Sequence, residues 1–273
     1  MKFTKEQIQQ LNEELPAVAV AGPWGTGKTL FALTRPVVGE VVWFHTEASG
    51  ANYAALYDVD RIEVNSIDDF RQGLAALKNR EIGHIIIDTV APIEDWLFQD
   101  VRAGTSLYGE SISQPEANRF AKDSAAAWGE MKKRELTVLN KLKGYADVVT
   151  ITSHMRAKYI GSRPSGLLEP RLKDVVYQFV AVFFVLQKGE GVGKPTAEVK
   201  KSTLLDKKYF AENGEIRPVL PPRLPVADWE SIWAYIENPV DADNLQPSEE
   251  SRTMSDTETV RLVAKIAEEA AME

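Results

Sequence analysis

At 273 residues, 44% of them hydrophobic and 26% charged, the chain can bury one sizeable core and still spare residues for insertions or a tail. Zero cysteines exclude disulfides, cysteine-based metal sites and thiol catalysis, and Met1-Lys2-Phe3-Thr4-Lys5-Glu6 opens into a polar helix rather than an apolar leader, so a soluble cytoplasmic protein is expected. The net charge of −8 is unevenly spread: residues 236–273 carry ten acidic against three basic side chains, whereas 154–208 carry eleven basic against five acidic.

Residues 4–14 read as a short amphipathic helix stopped by Pro16, and Ala17–Ala21 as a buried parallel strand. The strand runs into Gly22-Pro23-Trp24-Gly25-Thr26-Gly27-Lys28-Thr29, which is G-x-x-x-x-G-K-T, a phosphate-binding loop. Gly22 and Gly27 permit backbone angles that turn successive N–H groups around a β-phosphate. Lys28 reaches the β- and γ-phosphate oxygens, and the Thr29 hydroxyl is placed to ligate a phosphate-bound Mg²⁺. Leu30–Thr34 opens a helix whose positive end faces the phosphates, so the nucleotide-binding set runs from Gly22 to Leu30. A chance glycine-rich turn would lack this flanking strand and helix.

Val41–His45 forms the second strand and ends at Thr46-Glu47. Arg61–Val64 is a short third strand, followed by Ser66 as N-cap and a helix over 67–79. His84–Thr89 is a buried β-branched strand that ends in Asp88. A helix from Pro92 to about Arg102 leads to a loop over 103–111, expected at the mouth of the site. One long helix is expected over 116–143, ended by Gly144, then a strand over 147–152 with Ser153-His154-Met155-Arg156 at its end. Residues 157–170, with Gly161, Pro164, Gly166 and Pro170, read as a mobile loop. Val180–Gln187 is a further core strand with 197–201 as its hairpin partner; four prolines over 218–225 and a closing helix over 229–236 come next. The organisation is a single domain over 1–238 and an acidic tail over 239–273, expected as a disordered linker and an isolated helix.

Asp88 has the place of a Walker B aspartate, which holds Mg²⁺ through water and the Thr29 hydroxyl; the alternative is a helix cap. Position 89, where many ATPases place a water-activating glutamate, is threonine. The next candidate is Glu47, at the carboxyl end of the second strand, where crevice residues of an open α/β sheet converge; an exposed loop carboxylate is the alternative.

A phosphate loop, a glutamate after the second strand and an aspartate without a following glutamate together resemble the RecA-like recombinase core. More narrowly, the chain is similar to the compact RecA-core ATPases of bacteriophages that work with single-strand annealing and recombination, on G-P-W-G-T-G-K-T, HIIIDTVAPIEDW (84–96), Trp128-Gly129 and TSHMR (152–156), over residues 16–188. The resemblance implies an α/β P-loop fold, mainly parallel with helices on both faces, and an ATP- and Mg²⁺-dependent hydrolase with Lys28, Glu47 and Asp88 in catalysis. It implies His154 as γ-phosphate sensor and 157–170 as a single-stranded DNA-binding loop, with Arg156, Lys158, Tyr159, Arg163 and Arg171 as DNA contacts. It further implies a ring or filament in which a neighbouring subunit donates a cation, for which Lys200, Lys201 and Arg156 are candidates. The chain departs from it in having His, not Gln, as sensor, and no separate DNA-binding domain. The acidic tail is expected to compete with DNA for the basic stretch or to recruit a partner protein. Two other classes fit the same loop: a small-molecule kinase using 156–171 as an arginine-rich lid, and a loader for which ATP is a structural ligand.

Overall fold

The computed structural model describes residues 3–47, 53, 56–160, 163–171, 174–189, 194–215 and 217–239, without the side chains of 208–210. The expected linker and terminal helix lie outside the described residues from 240 onward.

The first helix, α1 (Lys5–Glu14), is fixed by a reciprocal cap: Gln7 N–H donates to Thr4 Oγ1 at 3.2 Å and Thr4 N–H donates to Gln7 Oε1 at 2.9 Å. Ten strands are described: β1 (Ala17–Ala21), β2 (Glu40–His45), β3 (Asp60–Glu63), β4 (Ile82–Asp88), β5 (Ala146–Ser153), β6 (Met155–Ile160), β7 (Arg163–Pro170), β8 (Val182–Gln187), β9 (Thr196–Ser202) and β10 (Arg223–Leu224). Eight of them form one sheet in the order β10-β9-β8-β1-β5-β4-β2-β3. All pairings from β8 to β3 are parallel; β9 and β10 add antiparallel at the edge.

The sequence alternates between two apolar faces, as a sheet covered on both sides requires. Ala17, Ala19 and Ala21 of β1 join Phe44, Ile85, Ile87, Val149, Ile151 and Phe183 on one face, while Val18, Val20, Phe184 and Leu186 meet Leu11, Phe31, Trp229 and Trp233 on the other. The first face is covered by α3 (Ile67–Ala76), α4 (Val90–Ala103), α5 (Gln114–Lys122), α6 (Ser124–Tyr145) and α7 (Asp174–Phe179). The second is covered by α1, α2 (Lys28–Leu33) and, after α8 (Lys207–Asn213), by α9 (Trp229–Glu237). This is the expected mainly parallel P-loop α/β fold. Among the described residues no helix is long and apolar enough to cross a membrane.

Four expectations are corrected. The long helix over 116–143 is two helices: the chain leaves helical geometry at Asp123, whose carboxylate accepts from Ala125 N and Ala126 N and starts α6 afresh. Gly144 does not end α6, which runs to Tyr145 and passes directly into β5. The 103–111 loop is not at the mouth of the site. It comes after fourteen residues of α4, about 21 Å of helix leading away from Asp88, and its Leu107 O and Tyr108 meet Arg71 of α3 and Lys141 of α6. Of residues 157–170, finally, the described ones, 157–160 and 163–170, belong to a two-stranded antiparallel ribbon, β6–β7, pairing Met155 with Pro170 and Ile160 with Arg163. Pro164 and Pro170 are tolerated because this ribbon has two edges and no third strand that needs their missing N–H.

Candidate nucleotide site

Strand order brings the site together. β5 lies between β1 and β4, with Ala21 opposite Ser153 and Ile87 opposite Ile151, and β2 on the far side of β4 sets His45 opposite Asp88. The carboxyl ends of four parallel strands therefore present Gly22, His154, Asp88 and Glu47 along one crevice.

The phosphate loop has the backbone its sequence demands. Gly25 and Gly27 adopt φ of +73° and +84°, left-handed values that side chains resist. At Gly22 a Cβ would lie 2.7 Å from Thr26 Oγ1 and 2.8 Å from Leu186 O, so only glycine fits. Thr26 Oγ1 donates to Pro23 O at 2.9 Å and tightens the loop. Lys28 is buried, and its Nζ donates to Gly22 O at 3.0 Å and Pro23 O at 2.9 Å. Burial pushes the Lys28 ammonium below its ordinary value, against the opposing pull of Asp88 and Glu47.

Thr29 Oγ1 donates to Asp88 Oδ2 at 2.8 Å, and the other carboxylate oxygen, Oδ1, accepts from Thr152 Oγ1 on β5. The hydroxyl and carboxylate expected to share Mg²⁺ are thus adjacent, and the cradle of glycine backbone and lysine beside them suits a polyphosphate. A hard cation with oxygen ligands fits this donor set.

Glu47 continues β2 into the crevice, where its Oε1 lies 2.5 Å from His154 Nε2 and 3.5 Å from Thr89 Oγ1. Thr89 is held in turn: its N–H donates to Thr46 Oγ1 at 2.8 Å, and that hydroxyl donates to Thr89 O at 3.0 Å. Burial pushes the Glu47 carboxyl up, but the hydrogen bond and charge of His154, with Lys28 and His45, outweigh it and hold the group below its ordinary value. The other two histidines are buried: His45 packs edge-on against Trp43, and His84 lies 2.9 Å from Thr150 Oγ1 inside the sheet.

His154 also faces outward. Its carbonyl accepts from Arg171 N at 2.8 Å, which closes the base of the β6–β7 ribbon, and the indole of Trp24 stacks on its ring with centroids 3.9 Å apart. On the ribbon, Arg156 pairs with Glu169 at 2.8 Å and Arg171 with Asp95 of α4; Lys158 and Arg163 are exposed, as are Tyr159, Ile160, Leu167 and Leu168.

Lys200 and Lys201 lie away from this crevice. β9 runs antiparallel to β8 and sets Lys201 opposite Phe183, toward the amino end of β8. Lys201 Nζ donates to Tyr177 O and, at 2.8 Å, to Val180 O, while Lys200 pairs with Glu198. Thr152, Thr46 and Thr89 are site residues that the sequence reading does not single out. For Thr152 there is a signal: a polar side chain in an apolar strand, two residues before His154 and so on the same face.

A phosphate loop on one strand end and a threonine-bonded aspartate two strands away form a nucleotide-phosphate site of the P-loop kind on a mainly parallel sheet. The chain belongs to the AAA domain family, whose model matches residues 16–184. ATPases of this kind use nucleotide, typically with Mg²⁺. No curated protein matches the chain. Among solved structures, a KaiC-like protein from the hyperthermophilic archaeon Pyrococcus horikoshii OT3 is similar at 16% identity, over 74% of this chain and 89% of that one, with a TM-score of 0.40. The RadB recombinase is similar at 16% identity over 68% and 80% of the two chains, with a TM-score of 0.42. Likenesses of this size carry nothing about chemistry.

Proposed function

We propose that the protein is an Mg²⁺-dependent ATP hydrolase whose nucleotide state controls binding of single-stranded DNA by the β6–β7 ribbon, in annealing or recombination of the bacteriophage type. The observation that carries the reading is the double engagement of His154. Its ring touches Glu47 in the crevice, and its carbonyl anchors the ribbon at Arg171.

In this reading Lys28 and the loop N–H groups bind the phosphates, and Thr29 and Asp88 hold Mg²⁺. The bound cation supplies charge neutralisation at the phosphate oxygens. Glu47, kept ionised below its ordinary range, accepts a proton from the attacking water, and His154 orients that carboxylate. Arg156, Lys158, Arg163 and Arg171 meet the phosphate backbone, and exposed Tyr159 offers a face for a base. Hydrolysis in a ring or filament draws a cation from a neighbouring subunit. Lys200, held only by an exposed pair with Glu198, is freer for that task than Lys201, which two carbonyls hold. Arg156 and Arg171 are paired with Glu169 and Asp95 and must leave them to serve either as DNA contacts or as a kinase lid, so these pairs do not separate the two readings.

The test is fluorescence anisotropy of a labelled oligonucleotide titrated with the full chain in ATP or ADP, using Glu47→Gln to hold ATP intact. Affinities that differ about 5- to 150-fold between nucleotides support coupling of the usual size. Equal affinities refute it.

A further inference from the structure

Trp24 is a misfit where it stands. Of the six tryptophans, all among the described residues, it alone is exposed, at 67%; Trp43, Trp229 and Trp233 are in the core, and Trp96 and Trp128 are half-buried. A phosphate loop needs no side chain at this position, since its work is done by backbone N–H groups and Lys28. The indole lies nearly parallel to the His154 imidazole, at an interplanar angle of 22°. Among the described residues that ring is otherwise held at one atom, because Nε2 meets Glu47 while Nδ1 is buried without a hydrogen-bond partner. One hydrogen bond leaves an imidazole free to turn about its contact, and a second constraint on its plane is what the indole provides. The backbone that carries the indole is fixed on both sides, by Gly25 in a left-handed turn and by Pro23, whose carbonyl Thr26 holds.

We propose that Trp24 is a positioning residue: by stacking on His154 it fixes the imidazole against Glu47, and so ties the shape of the phosphate loop both to the orientation of the water-activating carboxylate and to the base of the β6–β7 ribbon. The kinetic part rests on the ATP hydrolase reading; the stack does not. Trp24 acts through His154 and touches no reacting atom.

The test has two readouts on the full chain. In the first, the Trp24 contribution to fluorescence is isolated as parent minus Trp24→Phe, and its quenching by acrylamide is compared with that of the same pair built on His154→Ala. Loss of the imidazole opens one face of the indole, so acrylamide quenching rises; unchanged quenching overturns the stack. In the second, Trp24→Ala lowers kcat about 3- to 10-fold while KM for ATP stays within about 2-fold, and Trp24→Phe, which can still stack, restores kcat to within about 2-fold of the parent. A kcat untouched by Trp24→Ala, or equal losses in the Ala and Phe variants, overturns positioning. A rise in KM without a fall in kcat assigns Trp24 to nucleotide binding alone and also overturns it. If the parent binds ATP without turnover, the hydrolase reading fails while the fluorescence comparison still decides the stack.

Discussion

His154 Nε2 lies 2.5 Å from Glu47 Oε1, across 107 residues of sequence. The contact exists because β2 and β5 flank β4 and all three point their carboxyl ends the same way. It gives Glu47 a fixed direction and helps hold its carboxyl below the ordinary range.

Substituting Glu47 by Gln therefore removes the proton acceptor and keeps the shape. Turnover falls by about 100-fold or more, while binding of a fluorescent ATP analogue stays within a few-fold of the parent. Retained turnover removes Glu47 from the mechanism.

Thr152 is fully buried, and its hydroxyl donates to Asp88 Oδ1, leaving Oδ2 to Thr29. Groups that orient a metal-ligating carboxylate from behind are worth about 10- to 100-fold in metal affinity. Thr152→Val shifts the Mg²⁺ dependence of turnover to higher concentration by that factor, and Thr152→Ser, which keeps the donor, restores it. An unshifted Mg²⁺ profile in the Val variant contradicts this role.

The β6–β7 ribbon yields a separable defect. Replacing Lys158 and Arg163, both exposed and distant in sequence from the phosphate loop, by Glu abolishes DNA stimulation while DNA-free turnover is unchanged. Tyr159→Ala weakens single-stranded DNA by about 1–3 kcal/mol if one base stacks there. Loss of DNA-free turnover in the Lys158/Arg163 variant points to a structural role for the ribbon instead.

His84 makes stability depend on pH. Burial and, secondarily, the charge of Arg35 hold its pKa well below the ordinary value, and burial does the same more mildly to His45. The unfolded chain takes up a proton as pH falls through about 6.5 and the folded chain does not, so stability is full above that pH and is lost below it. The slope approaches about 1.4 kcal/mol per pH unit for His84, whose value is lowered furthest, and is smaller for His45. Urea titrations between pH 7 and pH 5 read this slope, and His84→Gln flattens it; an unchanged slope assigns the dependence to other groups.

How far the sequence reveals the site depends on which contacts are local. The phosphate loop is a contiguous string whose function is backbone geometry, and Asp88 and Glu47 stand at strand ends, where an open parallel sheet gathers its functional groups. Thr152 shows in the sequence as a polar side chain in an apolar strand, but its partner Asp88 does not, because that pairing is set by β5 lying between β1 and β4, a crossover no local pattern records. The ribbon escapes a sequence reading for the opposite reason: Pro164, Gly166 and Pro170 are local breakers, and only in a strand pair with free edges does their cost vanish. At Asp123 the helical periodicity continues on both sides, so the break shows only as an aspartate capping the start of α6.

The most direct measurement is steady-state ATP hydrolysis by the full chain at saturating Mg²⁺, with and without single-stranded DNA, beside Lys28→Ala to expose contaminating activity. The account predicts turnover that rises severalfold with DNA and is absent in Lys28→Ala. Turnover indifferent to DNA would contradict the claim that the nucleotide crevice and the β6–β7 ribbon work as one device.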